Sequence, residues 1–280
     1  MERLRSSDAE ISYDLRGKGP PVVLLHPFPC DHEFWSPVSA ALESRYRLIL
    51  PDLRGHGDSE VGEGPALMQK HASDVARVLD DAGVSKAAFV GCSIGGYVLF
   101  EFWRRFRARV TSLTLCDTRP QDDTAEARAN RLAAAATVLE QGTEPFIETM
   151  IPKLMGRTTV ATRPDLVDGA RAMMRKMSAE DISLVQRGMA ERPDSVADLK
   201  TINVPTLIAI GEEDVLSTVA DGELMRQNIV GSQLKVIAKA GHYAPWERAE
   251  AVGTALRQFL VSIRRFDDMR SARAGAASSG

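Results

Sequence analysis

The hydrophobic positions of this chain follow two alternating rhythms. Short runs at Val22–Leu25, Arg47–Leu50, Ala87–Val90 and Val110–Leu115 are almost continuously aliphatic or β-branched. Such runs predict strands covered on both faces, as in a parallel sheet. Between them, Ala66–Ala82 sets Leu67, Val75, Val78 and Leu79 close to helical spacing and ends at Gly83, a residue suited to a left-handed helix cap. The strand and helix series resumes after Pro205, with Thr206–Ile210 and Leu234–Ile237 as strands and Trp246–Arg264 as a closing helix. The prediction is an α/β fold: one mostly parallel central sheet, split in sequence and flanked by helices.

The split is filled by a stretch of another kind. From Thr118 to Thr201 the chain reads almost wholly as helix, with segments at Ala127–Leu139, Pro145–Met155, Pro164–Met177 and Ala179–Met189. We read it as an inserted helical lid, so that 1–117 and 202–266 form the core and 118–201 the cap. Met150, Met155, Met173, Met174, Met177 and Met189 fall in or beside these segments. Their flexible side chains suit an adaptable pocket, although core filling is the plainer expectation. Residues 267–280 are rich in Ala, Ser, Gly and Arg without apolar periodicity, which predicts a disordered tail.

Composition narrows the function classes. With 280 residues, 44% hydrophobic and 26% charged, the chain has the make-up of a globular protein with a substantial core. A net charge of -3 and a pI near 6.0 give no electrostatic ground for binding nucleic acid. Cys30, Cys92 and Cys116 lie far apart without a C-x-x-C pair, so neither a zinc site nor a disulfide framework is expected. Met1–Asp8 is polar, and no apolar run approaches the roughly 20 residues of a membrane span. A cytoplasmic protein acting on a small molecule, with no membrane or nucleic-acid partner, is the expectation. The oligomeric state stays open.

The candidate chemistry begins at Gly91-Cys92-Ser93-Ile94-Gly95-Gly96, which follows the run Ala87–Val90 and precedes the helical pattern Tyr97–Arg105. A G-x-S-x-G sequence between strand and helix holds its serine on a tight turn, with glycines allowing strand and helix to approach. Ser93 is therefore the candidate nucleophile, and its neighbour Cys92 a small buried filler. A serine hydroxyl needs a base, and histidine is the natural one. His242 lies in the loop between the strand Leu234–Ile237 and the closing helix; His32, His56 and His71 read as structural, and His26 as a residue orienting an early loop from behind. A carboxylate must fix the base's tautomer. Asp214, just after the strand Thr206–Ile210, is the candidate, with Asp117 its rival and Glu212 and Glu213 read as solvated. Ile94 N–H and Phe28 N–H are the candidate donors to an oxyanion.

Taken in order, His26-Pro27-Phe28-Pro29, Pro51-Asp52-Leu53-Arg54-Gly55-His56-Gly57-Asp58-Ser59, the Ser93 turn, Asp214 and Gly241-His242 resemble the α/β-hydrolase family over about residues 10–264. Where the family usually has His-Gly, this chain has His26-Pro27. Pro29 further biases Phe28 toward an extended conformation or the bond between them toward cis. The lid and the run Arg192-Pro193-Asp194-Ser195 look most like small-molecule esterases and the 3-oxoadipate enol-lactonase branch. The resemblance implies hydrolysis of a small carboxylic ester or lactone through an acyl-enzyme, without cofactor or metal. Perhydrolysis of the haloperoxidase type and carbon–carbon bond hydrolysis use the same triad, and a ligand-binding receptor with little turnover is the alternative of another class. A carboxylate-bearing lactone calls for an arginine in the pocket, with Arg54, Arg128, Arg157, Arg175 and Arg192 unranked.

Overall fold

The computed structural model describes residues 1–277, with backbone alone for 264–277. Eight strands form one sheet in the order β1-β2-β4-β3-β5-β6-β7-β8. They are β1 (Glu2–Ser6), β2 (Ala9–Arg16), β3 (Pro21–Leu25), β4 (Arg47–Pro51), β5 (Ala87–Cys92), β6 (Val110–Cys116), β7 (Thr206–Gly211) and β8 (Gln233–Ile237). Strands β3 to β8 are mutually parallel, and the hairpin β1–β2 joins β4 antiparallel.

Six strands fall where the aliphatic runs predict them. The hairpin β1–β2 is additional: Ala9, Ile11 and Tyr13 enter the core at a period of two, but polar residues stand between them and β1 is charged and largely exposed. An edge strand of this kind buries little and leaves a weak sequence signal.

A 3₁₀ turn (His32–Trp35) and α1 (Ser36–Ser39) follow β3; α2 (Met68–Asp81) and α3 (Ile94–Phe106) flank β5 in sequence. Between β6 and β7 lie α4 (Ala125–Gln141), α5 (Thr143–Leu154), α6 (Arg157–Thr162), α7 (Pro164–Met174), α8 (Ala179–Ala190) and α9 (Val196–Leu199). After β7 come α10 (Val219–Asn228), α11 (Ala244–Glu247) and α12 (Ala249–Ala277). α12 runs through most of the stretch expected to be a disordered tail from 267. Alanine and arginine are strong helix formers, and a helix already nucleated in the core needs no apolar periodicity to continue. Residues 278–280 of that stretch lie outside the described residues.

Side chains alternate across the sheet, so each strand feeds two cores. Val23, Leu25 and Phe89 lie in one cluster with α2 and α3. Val22, Leu24 and Val90 lie in the other with α12 and much of α5 and α7. Met155, Met173, Met174, Met177 and Met189 are buried in one or other of these clusters, in keeping with core filling. No helix among the described residues is long and apolar enough to cross a membrane.

Residues 118–201 are fastened to the loops at the carboxyl end of the sheet. Tyr243 N–H donates to Leu154 O at 2.9 Å, and the Glu247 carboxylate accepts from Gly156 N–H at 3.0 Å and Gly241 N–H at 2.9 Å. Glu213 accepts from Thr158 N–H at 2.8 Å, and Lys176 pairs with Asp31 at 2.5 Å.

Candidate active site

β5 ends in a turn that puts Ser93 in an unusual conformation, φ 54° and ψ -115°, as the residue before α3. Positive φ is uncommon outside glycine and persists only where its surroundings enforce it. Here Ser93 N–H donates to Cys116 O, while Ser93 O accepts from Gly96 N–H and the Thr118 hydroxyl. The flanking glycines are steric requirements: a Cβ on Gly91 would lie 2.6 Å from the Gly95 carbonyl carbon, and one on Gly95 2.4 Å from Leu25 O. The turn is thus wedged against both the helix it opens and strand β3.

Three side chains from three loops meet at this turn. The Ser93 hydroxyl lies 2.7 Å from His242 Nε2, and His242 Nδ1 lies 2.8 Å from Asp214 Oδ2. A carboxylate only accepts, so Nδ1 carries the ring proton and Nε2 is free to accept from Ser93. Asp214 is itself held, because its Oδ1 accepts from Leu216 N–H at 2.8 Å and Ser217 N–H at 3.0 Å. Asp117 instead receives Gly211 N–H at 2.7 Å on Oδ1, and burial beside Asp214 raises its pKa well above the usual carboxylate range. Among the described residues its Oδ2 has no partner. Cys92 points its thiol at His242 O, 3.8 Å away, and burial pushes its pKa well up.

The early loop is organised by His26. Leu53 N–H donates to His26 Nε2 at 2.9 Å, so Nδ1 bears the proton and donates to Pro27 O at 3.0 Å. Cys30 N–H donates to the same oxygen at 3.0 Å. Two donors therefore orient the peptide whose N–H is that of Phe28, and polarise it as a donor. The Phe28–Pro29 bond is cis, and the Tyr243 hydroxyl donates to Phe28 O at 3.0 Å. Phe28 N–H has no hydrogen-bond partner among the described residues. Ile94 N–H, the first of α3, belongs to the unpaired donors of a helix start. Phe28 and Ile94 are thus left able to serve an external acceptor.

The Pro51–Ser59 segment supports this loop. Asp52 accepts from His32 N–H at 2.8 Å and Asp58 N–H at 3.0 Å. Arg54 forms a bidentate pair with Asp74 at 2.8 and 2.9 Å, with Asp8 at 3.2 Å. Arg192 pairs with Asp123 at 2.7 Å and lies over the Tyr97 ring, Arg175 pairs with Glu144, and Arg157 lies 3.5 Å from Glu213 while 89% exposed. Arg128 is exposed. Among the described residues no group of three or more His, Cys, Asp or Glu side chains is placed to hold a metal ion.

Burial holds three histidines neutral: His26 is pushed down to about 4, His56 to about 3, and His71 well below its ordinary value. For His71 the folded pKa is depressed, so the stability it allows is complete above the unfolded value near 6.5 and is lost as pH falls below it. Buried carboxyls such as Asp117 and Glu247 are shifted upward and act in the opposite sense. A variant therefore isolates the effect. His71→Leu is expected to gain stability steadily relative to the native chain as pH falls from 6.5 to 5, measured by urea unfolding. A constant difference across that range would refute a neutral buried His71.

The described geometry has relatives. The alpha/beta hydrolase fold family matches residues 20–249. 3-Oxoadipate enol-lactonase 1 of Acinetobacter baylyi is 29% identical over 248 residues, 88% of this chain and 90% of that protein. A thermophilic esterase from Thermogutta terrifontis superposes with a TM-score of 0.91 at 36% identity, covering 94% of this chain and 99% of that one. The enol-lactonase of Burkholderia xenovorans LB400 gives 0.87 at 25% identity, covering 93% and 100%. With the family match spanning most of its length and the sheet, turn and loop order in place, the chain belongs to the alpha/beta hydrolase fold family.

Proposed function

We propose that this chain is a serine hydrolase that cleaves a small carboxylic ester or lactone through an acyl-enzyme on Ser93. Esterases and enol-lactonases are among its relatives, and it is an enzyme acting on ester bonds. The observation that carries the finer reading is the hydrogen-bonded series from Ser93 through His242 to Asp214.

In the first step the Ser93 oxygen attacks the substrate carbonyl as its proton passes to His242 Nε2, and Asp214 stabilises the imidazolium. Phe28 and Ile94 N–H groups receive the oxyanion. Collapse expels the alcohol, which takes the proton from His242. Water, deprotonated by the same ring, then attacks the acyl-enzyme and releases the acid, restoring Ser93. For a lactone the expelled alcohol stays tethered to the acyl group. The residues between β6 and β7 act as the lid, since they are bolted to the Asp214 and His242 loops and Ser93 is only 8% exposed. Arg54 and Arg192, both buried, are committed to their carboxylate partners, which favours a neutral substrate over a carboxylated lactone held by either of them. Buried unpaired thiols at Cys30, Cys92 and Cys116 suit a reducing cytoplasm.

The test is turnover of p-nitrophenyl esters of increasing acyl length. Turnover by the native protein supports an esterase and sizes its site; no turnover by folded protein contradicts it. The role given to His26 makes a sharper expectation. His26→Asn can keep a donor near the Nδ1 position, whereas His26→Gln keeps only an acceptor near Nε2. The glutamine variant is expected to lose on the order of 10- to 100-fold in kcat with little change in KM, and the asparagine variant much less. Equal losses would contradict orientation of the Phe28 N–H through Pro27 O.

A further inference from the structure

Ser93, His242 and Asp214 are 8%, 2% and 6% exposed, so a substrate larger than the closed site must move something. Phe146, on α5, is the side chain placed for it. Its ring meets the Phe28 ring edge-on, with centroids 5.9 Å apart and planes at 66°. It also packs against both core clusters, which occupy opposite faces of the sheet.

Phe146 also lines a solvent-open groove of about 170 Å³ between α4 and α5. Ala134, Thr137, Val138, Gln141, Gly142, Pro145 and Thr149 line it with Phe146; none is charged, and Val138 is the buried member of its floor. Phe146 is half-buried and makes no hydrogen bond through its side chain, so a rotamer change sacrifices only packing. Phe146 is thus an unanchored ring between this uncharged groove and Phe28, the residue whose N–H is assigned to the oxyanion.

We propose that Phe146 determines chain-length specificity, and that the α4–α5 groove receives the distal part of an unbranched acyl chain once the ring swings aside. Short acyl groups react with Phe146 in its closed position. Longer chains displace it and gain apolar contact with Val138 and Pro145. The inference rests on the esterase reading and assigns that site its substrate class: neutral esters of straight-chain acids.

The experiment compares kcat/KM for p-nitrophenyl octanoate and acetate in the native protein, Phe146→Ala and Thr137→Trp. Removing the ring is expected to raise the octanoate-to-acetate ratio by roughly tenfold or more, the scale set by one or two methylenes gaining a pocket. Filling the groove from α4 with tryptophan is expected to lower that ratio by a similar factor while acetate hydrolysis stays near native. Thr137 is exposed and distant in sequence from every residue assigned to the chemistry, so its variant also controls for misfolding of Phe146→Ala. An unchanged ratio in both variants, with acetate still hydrolysed, would overturn this inference alone. Absence of hydrolysis of either ester by the folded native protein would overturn the esterase reading and this inference with it.

Discussion

Ser93→Ala is expected to lower kcat for p-nitrophenyl acetate by about 10⁶-fold, the scale found when the nucleophile of a serine triad is deleted. The substitution removes one oxygen and leaves the backbone wedge of Gly91, Gly95 and β3 untouched. Thermal stability should therefore change little, apart from the cost of leaving His242 Nε2 without its 2.7 Å partner. A calorimetric midpoint close to native, together with a small residual rate of the size that oxyanion donors and binding alone supply, is the predicted pair of results. Substantial residual turnover would point to a second nucleophile. Cys92 is badly placed for that role, since its thiol faces His242 O and burial keeps it protonated.

Asp214→Asn has the next largest expected effect, about 10⁴-fold in kcat. The reason is specific to the contacts made here. Asp214 Oδ1 accepts two backbone N–H groups, so an asparagine must place its carbonyl oxygen there and turn its NH₂ toward His242 Nδ1. That donor forces the proton onto Nε2, and His242 can no longer accept from Ser93. The loss should appear in kcat, with KM and stability near native, and steady-state kinetics would show it. Asp117→Asn is the control: its carboxyl receives Gly211 N–H and does not reach the imidazole, so the same change there should leave the tautomer intact.

The parallel strands and the three side chains that meet at the Ser93 turn were legible because each has a local signature. Buried strands are continuous aliphatic runs, and a serine between glycines at a strand end is a steric requirement written in adjacent residues. The hairpin β1–β2 lacked such a signature, since Ile11 and Tyr13 alternate with polar residues at the sheet's edge. The C-terminal extension of α12 was obscured for the opposite reason: its residues favour helix without an apolar stripe to mark one. Non-local partnerships were invisible. Glu213, read as solvated, instead holds Thr158, and Glu247 ties Gly156 to Gly241; nothing near either residue in sequence announces a partner about 55 or 90 positions away. His26 lies between these cases. Its place at a strand end suggested a role behind the early loop, but the direction of its two hydrogen bonds required Leu53 and Pro27 to be seen together.

The proline beside that histidine shows how a departure from a family pattern can be absorbed. Pro27 offers no N–H, yet its carbonyl is the acceptor through which His26 and Cys30 set the Phe28 peptide. The donor that the resemblance requires is one residue further on and carries no competing hydrogen bond among the described residues.

Labelling with an alkyl fluorophosphonate, followed by peptide mass spectrometry, tests the central claim most directly, because the reagent phosphonylates a serine only where a base and oxyanion donors activate it. Stoichiometric modification confined to Ser93 in the native protein, with none in the Asp214→Asn variant over the same interval, is the predicted result. Modification at another residue, or none in folded native protein, would contradict a nucleophilic Ser93 activated by His242.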